Sequence, residues 1–304
     1  MKKLFLLSLS LILISFIVCN IFINRINGEI FNYKESTYIR VKRNSTGNIE
    51  VIPFEEYIIG VVSGEMPVSF DIEALKAQAV ASRSYALTKM NQNVNNDFDV
   101  VDTISNQVYL DDNTLRKNWG KNYDKNIKKI KEAVNKTSGE YLSYNGSVIN
   151  AFFFSTSTGK TENCVDVFGG NLPYLVSVDS KWDEISPVFS VNNTYSLNDF
   201  YAGLDLPYSS TVNVEIEDTT STGRIKKIKI NGKEFTGNDV TKRLSLRSSF
   251  FKIEQNNDKV NVSTKGFGHG VGMSQYGAYG MAKDGYKYDA ILKHYYTGVE
   301  ISKL

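Results

Sequence analysis

Apolar positions change period several times along this chain, and each change marks an element. Residues 38–42 and 48–52 alternate apolar and polar side chains around Ser45-Thr46-Gly47, which predicts a hairpin. Residues 54–62 follow a helical period, with Pro53 suited to the helix start. A long alanine-rich helix is predicted from about 69 to 90, with Ile72, Leu75, Ala79, Ser82 and Ala86 near one face. A lysine-rich helix spans 124–137. Runs 140–144 and 147–154 then flank Asn145-Gly146, the strongest local hairpin signal in the chain.

The texture shifts between 186 and 263. Strict alternation at 211–216 and 224–230, an Asn231-Gly232 turn, a short helix near 237–246 and a strand pair within 251–262 predict a small α+β module. From 266 to 272 every second residue is Gly, and helices follow near 273–285 and 288–296. We read the fold as α+β: a mixed lobe with a long helix and hairpins, interrupted by a smaller inserted α+β subdomain, behind an N-terminal transmembrane helix. The segments are 1–24 anchor, 25–37 linker, 38–185 first part of the main lobe, 186–263 insertion and 264–304 last part of the lobe.

The anchor rests on residues 4–23, an almost unbroken apolar stretch about as long as a bilayer is thick. Lys2-Lys3 before it favour a cytoplasmic N-terminus, with the remainder outside. No small-residue cleavage site follows, so a retained span is expected. Net charge is +2, from 35 basic and 33 acidic residues, which argues against a nucleic-acid surface. Of two cysteines, Cys19 falls in the apolar span, so no internal disulfide is expected. Cys164 fits a buried small residue better than a reactive thiol.

One acid stands in costly surroundings. Glu65 ends the apolar run Gly60-Val61-Val62-Ser63-Gly64. A carboxyl pressed against apolar neighbours keeps its proton and can protonate a leaving group at neutral pH. The alternative is a surface Glu at a helix approach. The glycine loop lacks the third Gly of a dinucleotide fingerprint, and Gly159-Lys160-Thr161 lacks the first Gly of a P-loop. His269 lies in the glycine loop, where backbone can approach a ligand. His294 reads as an ordinary helix histidine. Arg83, on a helix poor in charge, is a candidate substrate contact or a paired surface residue. Lys181-Trp182-Asp183-Glu184 could rim the same groove.

Three blocks resemble the stage II sporulation protein D family. They are Gly64-Glu65-Met66-Pro67 with the helix 73–86, then Ser155 to Asn163, then Gly268 to Ala278. They occur in the family's order and bracket nearly the whole exported region. The resemblance implies a membrane-anchored lytic transglycosylase acting on peptidoglycan strands stripped of stem peptides. It implies a partner amidase and a multispanning membrane protein during engulfment, and it places the catalytic acid at Glu65. Some members hold a metal with a Cys and a His in the region matching 99–109. Neither residue occurs there, so no zinc and no other cofactor is expected. Ser157, Tyr174, Lys181, His269 and Gln275, with Arg83, are the expected substrate contacts. Related amidase enhancers leave a non-catalytic wall-binding role as a rival. A two-carboxylate hydrolase using Asp102 or Glu162 is another.

Overall fold

The computed structural model describes residues 37–304. The predicted anchor and most of the linker lie outside that range. Among the described residues, no helix is long and apolar enough to cross a membrane.

The first hairpin pairs β1 (Tyr38–Lys42) with β2 (Ile49–Pro53), Tyr38 opposite Pro53. Helix α1 (Phe54–Glu65) follows without a break and buries Phe54, Tyr57, Ile58, Ile59, Val61 and Val62. It runs three residues past the predicted end. The residue before a proline is pushed out of helical geometry, and Met66, before Pro67, is extended at φ −121° and ψ 141°. Glu65 is therefore the last helical residue.

Helix α2 (Ile72–Gln92) is capped by the Asp71 side chain, which accepts from Glu73 N–H. It starts three residues later than predicted and is buried on nearly every side. Its small residues let α1 and three later helices pack closely around it. Strand β3 (Val100–Val101) joins the first hairpin in parallel to β1. Helix α3 (Asp112–Trp119), not predicted, is capped by Asp111. Helix α4 (Tyr123–Lys136) buries Ile127, Ile130 and Val134 against the core.

Arg83 sits in the middle of this helical layer and has no exposed side-chain surface. Its Nε and Nη2 donate to the two Glu55 carboxylate oxygens at 3.0 and 2.8 Å, and Nη1 donates to the Glu140 carbonyl at 2.7 Å. The expected substrate contact is thus corrected: this guanidinium faces inward and joins α2 to α1. Removing one partner of a buried pair strands the other charge, at about 3–5 kcal/mol. Because Glu55 is partly exposed, Glu55→Ala should lower stability by the lower figure, about 3 kcal/mol, in urea unfolding. Glu56→Ala, one residue away on the exposed face, should change it by less than about 0.5 kcal/mol.

Strands β4 (Glu140–Tyr144) and β5 (Ser147–Val148) form the predicted Asn-Gly hairpin, with Asn145 and Gly146 both at positive φ. The predicted strand 147–154 is divided. After Val148 the chain leaves the hairpin, and β6 (Phe153–Phe154) pairs in parallel with a strand near the C-terminus. Helix α5 (Cys164–Phe168) follows, with Cys164 a buried free thiol whose ionisation burial pushes up.

The next stretch carries its own apolar core, including Phe200, Leu204, Ile228, Ile230, Val240, Val260 and Val262. It contains β7 (Ser190–Ser196), α6 (Leu197–Leu204), β8 (Val214–Thr219), β9 (Ile225–Ile230), β10 (Lys233–Thr236), α7 (Gly237–Arg243), β11 (Phe251–Asn256) and β12 (Lys259–Lys265). Two three-stranded antiparallel sheets result, ordered β10-β9-β8 and β11-β12-β7. This core and the helical layer belong to one unit, Tyr38–Lys303. Strand β13 (Met273–Ser274) is the partner of β6. Helices α8 (Gln275–Lys283) and α9 (Tyr288–Tyr295) return to α2, and β14 (Glu300–Lys303) pairs with β4.

Candidate active site

Glu65 is held from two sides. On the first, Gly60 and Gly64 give α1 a face without side chains. A Cβ on Gly60 would come within 2.3 Å of the Tyr109 ring, and one on Gly64 within 2.7 Å of the Val108 carbonyl. The segment Val108–Leu110 lies on that bare face, and Tyr57 stacks on Tyr109 at 5.4 Å. This close approach brings the Val108 N–H to Glu65 Oε1 at 2.7 Å. On the second side, Gln275 Nε2 donates to Glu65 Oε2 at 3.3 Å. Gln275 also meets Gln78 on α2 at 3.5 Å, and Gln78 donates to Ser82 at 2.9 Å. Gln107 completes the set, accepting from Tyr57 OH at 3.1 Å and donating to the Ser82 carbonyl at 3.3 Å.

Burial raises the Glu65 carboxyl above the ordinary carboxylate range. The Val108 and Gln275 hydrogen bonds pull the other way, and burial is the larger effect. Among the described residues, no charged group contributes to the shift. Glu65 is therefore an acid tuned by burial and by two hydrogen bonds. Asp102 is occupied by Arg43 at 3.1 Å and by the Asn44 N–H, and Glu162 by Arg224 at 3.1 Å.

An aromatic wall leads away from this acid. Tyr85 lies within electrostatic range of Glu65, and its hydroxyl accepts from Asn106 at 3.0 Å. The Tyr85 ring is 6.1 Å from Phe152, which is 5.0 Å from Phe168 and 6.0 Å from His269. Phe168 is 49% exposed, so the wall presents an open ring to solvent. His269 packs among Phe152, Phe154 and Phe168. Burial, and then the charge of Arg224, push its imidazole down to about 4, so it is neutral at pH 7. Its Nδ1 accepts from the Val271 N–H at 3.1 Å.

The glycine loop makes this arrangement possible. Gly270 has φ +88°, and a Cβ there would strike Glu162 at 2.6 Å and Arg224 at 2.8 Å. Arg224, just before β9, donates to the Gly268 carbonyl at 2.7 Å. The same loop ends in Ser274, the N-cap of α8, whose hydroxyl donates to Asp183. Asp183 also accepts from Ser157 N–H and Oγ at 3.0 and 2.7 Å, and from Ser180 Oγ at 2.6 Å. It is fully buried, and burial raises its carboxyl despite these donors.

The predicted residues thus divide. Glu65 and Gln275 meet directly, and His269 joins them through the aromatic wall. Ser157 is fully buried and committed to Asp183, which corrects its expected place in a groove. Tyr174 is buried beside Tyr144 at 5.7 Å, its hydroxyl accepting from Asn150 N–H, and burial raises its phenol. Lys181 is exposed on the short 3₁₀ turn Lys181–Ile185, over the Trp182 ring at 5.5 Å. Neither hydrogen-bonds to Glu65 or Gln275. His294 contacts the Asp179 carbonyl at 2.7 Å. Among the described residues, no group of three or more His, Cys, Asp or Glu is placed to hold a metal.

Val108, Gln78, Tyr85, Phe152 and Phe168 are parts of the site that sequence reasoning did not single out, and Asp183, expected at a groove rim, is instead buried. Val108 acts through its backbone, which leaves no trace in residue type. Phe152 was legible only as part of an apolar strand.

Fold and site together define a mixed α+β protein in which one carboxyl, raised by burial, is set at a helix end beside an aromatic wall. A family model described as stage II sporulation protein matches residues 42–144. Stage II sporulation protein D of Bacillus amyloliquefaciens is 44% identical over 271 residues, covering 87% of this chain and 78% of that protein. Its Bacillus subtilis counterpart is 44% identical over 271 residues, covering 87% and 79%. The chain belongs to the stage II sporulation protein D family. It is also 30% identical over 298 residues to a Bacillus subtilis amidase enhancer, covering 80% of this chain and 40% of that protein.

Proposed function

We propose that the chain is a lytic transglycosylase of peptidoglycan, acting on strands stripped of stem peptides during sporulation. The observation that carries this reading is Glu65: a carboxyl raised by burial, with no second acid among the described residues near enough to shift it. A hydrolase of the usual kind needs two carboxylates. A transglycosylase needs one. Glu65 first gives its proton to the glycosidic oxygen, and the C1–O bond of N-acetylmuramic acid breaks, releasing the 4-hydroxyl of the next sugar. The C6 hydroxyl of the same N-acetylmuramic acid closes on C1, and its proton passes to the Glu65 carboxylate. The acid is regenerated, no water is consumed and the product carries a 1,6-anhydro end. The attacking group is already part of the substrate, so proximity replaces a protein nucleophile.

The surroundings suit these steps. Val108 N–H and Gln275 fix one carboxyl geometry and stabilise the charged form when it appears. Phe168, and the half-buried Phe152 beside it, offer apolar ring faces on which sugars can lie. In this proposal the chain is held at the cell membrane by its N-terminal segment. It works with a wall amidase and a multispanning membrane protein.

The relation to an amidase enhancer favours a second reading, a wall-binding module without activity of its own. Product analysis by mass spectrometry separates the readings. Full-length chain in detergent, given peptide-free glycan, should release anhydro ends. Reducing ends would indicate a two-carboxylate hydrolase, and an intact strand a binding module.

The raised Glu65 carboxyl fixes the sign of the pH dependence. The protonated form starts the reaction, so kcat/KM should fall as pH rises through the Glu65 value, above the ordinary carboxylate range. In Gln275→Leu, a hydrogen bond that favours the charged form is lost. The alkaline limb of the profile should move to higher pH. A limb that stays fixed or moves down contradicts the assignment.

A further inference from the structure

The insertion carries a cavity that the steps above do not use. It has a volume of about 260 Å³, and its lining includes Asn193, Ser245, Arg247, Thr264 and Phe267. Asn193 and Ser245 also line a second depression of about 590 Å³, which reaches Tyr195, Asp199 and Arg243. The two make one groove along the insertion. The groove ends at Phe267, two residues before His269.

Three observations mark it as a built site. Arg247 is exposed, lies over the Phe267 ring at 4.9 Å, and has no carboxylate partner among the described residues. Thr264 is 1% exposed, yet its hydroxyl has no hydrogen-bond partner among the described residues. A buried hydroxyl left unsatisfied costs about 1–3 kcal/mol, and Thr264 is among the residues that line this cavity. Ser245 holds a positive φ of 52°, an uncommon conformation for a residue with a side chain. The cavity is also tied to the site of Glu65. The Arg247 carbonyl accepts from Gly268 N–H at 3.0 Å, and Phe267 exchanges two backbone hydrogen bonds with Thr156.

The chemistry of the lining selects a ligand class. An arginine fork matches a carboxylate in a bidentate pair, an exposed ring offers a sugar face, and Asn193 and Thr264 supply partners for hydroxyl or acetamido groups. We propose that this groove is a second glycan subsite in which Arg247 binds the free lactyl carboxylate of a peptide-stripped strand. The inference rests on the substrate class proposed above. A strand still carrying peptides has an amide at each of those positions and offers Arg247 no charge. The subsite therefore reads whether the peptides have been removed, at a place apart from the bond that breaks.

The test measures binding alone. Full-length Glu65→Gln protein in detergent is titrated calorimetrically with peptide-free glycan oligomers, and with the same oligomers after conversion of their carboxylates to carboxamides. The acid form should bind roughly tenfold more tightly, the size of one charge-assisted hydrogen bond. Adding Arg247→Gln should erase that preference and leave the carboxamide affinity unchanged. Equal binding of both oligomers to the parent overturns the proposal, and so does a preference that survives in Arg247→Gln. If the wild-type chain cleaves no glycan, the transglycosylase reading fails while this binding comparison still decides the subsite.

Discussion

Glu65→Gln should lower glycan cleavage by about a thousandfold or more and leave the fold and glycan binding in place. One positioned proton donor contributes roughly a hundredfold to ten-thousandfold, and here the same group also serves as the base. The substitution keeps the shape of the side chain. An amide oxygen can still accept from Val108 N–H at the position of Oε1. The amide nitrogen would face Gln275, whose own amide can turn to present its oxygen. Thermal melting should therefore move little, while single-turnover release of fragments disappears. Cleavage within tenfold of wild type would remove Glu65 from the chemistry.

Asp183→Ala should be the most damaging single change to stability, at about 3–5 kcal/mol. Asp183 accepts from one backbone N–H and three serine hydroxyls in a fully buried position. Deleting its carboxylate strands those donors and leaves a cavity. Asp183→Asn should fall between wild type and Ala. Hydroxyls of Ser157 and Ser180 can turn to accept from an amide, and Tyr295 OH lies 2.6 Å from Ser180 to donate in return. The Ser157 N–H cannot reverse, so the amide oxygen must stay on its side. Activity should fall along with stability, because Ser274 caps the helix whose first residue is Gln275. Urea unfolding together with fragment release at a temperature where Asp183→Asn remains folded checks both parts. A variant with full stability but no Gln275 effect on the pH profile would break the link drawn from Asp183 to Glu65.

The local features were legible where the physics is local. Asn145-Gly146 and Asn231-Gly232 announced turns, and the apolar run before Glu65 announced its burial. Pro67 was visible too, although the helix it ends was placed three residues short. The misreadings share one cause, contact across long stretches of chain. Arg83 was read by its charge on a polar-poor helix, but its direction is set by Glu55, 28 residues earlier, and by Glu140. Ser157 was read as a loop residue, but Asp183 lies 26 residues on and Ser274 lies 91 residues beyond Asp183. The strand 147–154 was read as continuous because nothing within it shows that Phe153 pairs with Met273. The site repeats the pattern: its acid was visible, whereas the N–H that holds the acid belongs to a backbone 43 residues away.

The central claim is that Glu65 works alone and that the substrate supplies its own nucleophile. Digestion of peptide-free glycan in water enriched in oxygen-18, followed by mass spectrometry of the new ends, tests it most directly. Closure by the C6 hydroxyl predicts anhydro ends carrying no label. Reducing ends with one labelled oxygen at C1 would mean that water attacks, and the single-acid account would be wrong.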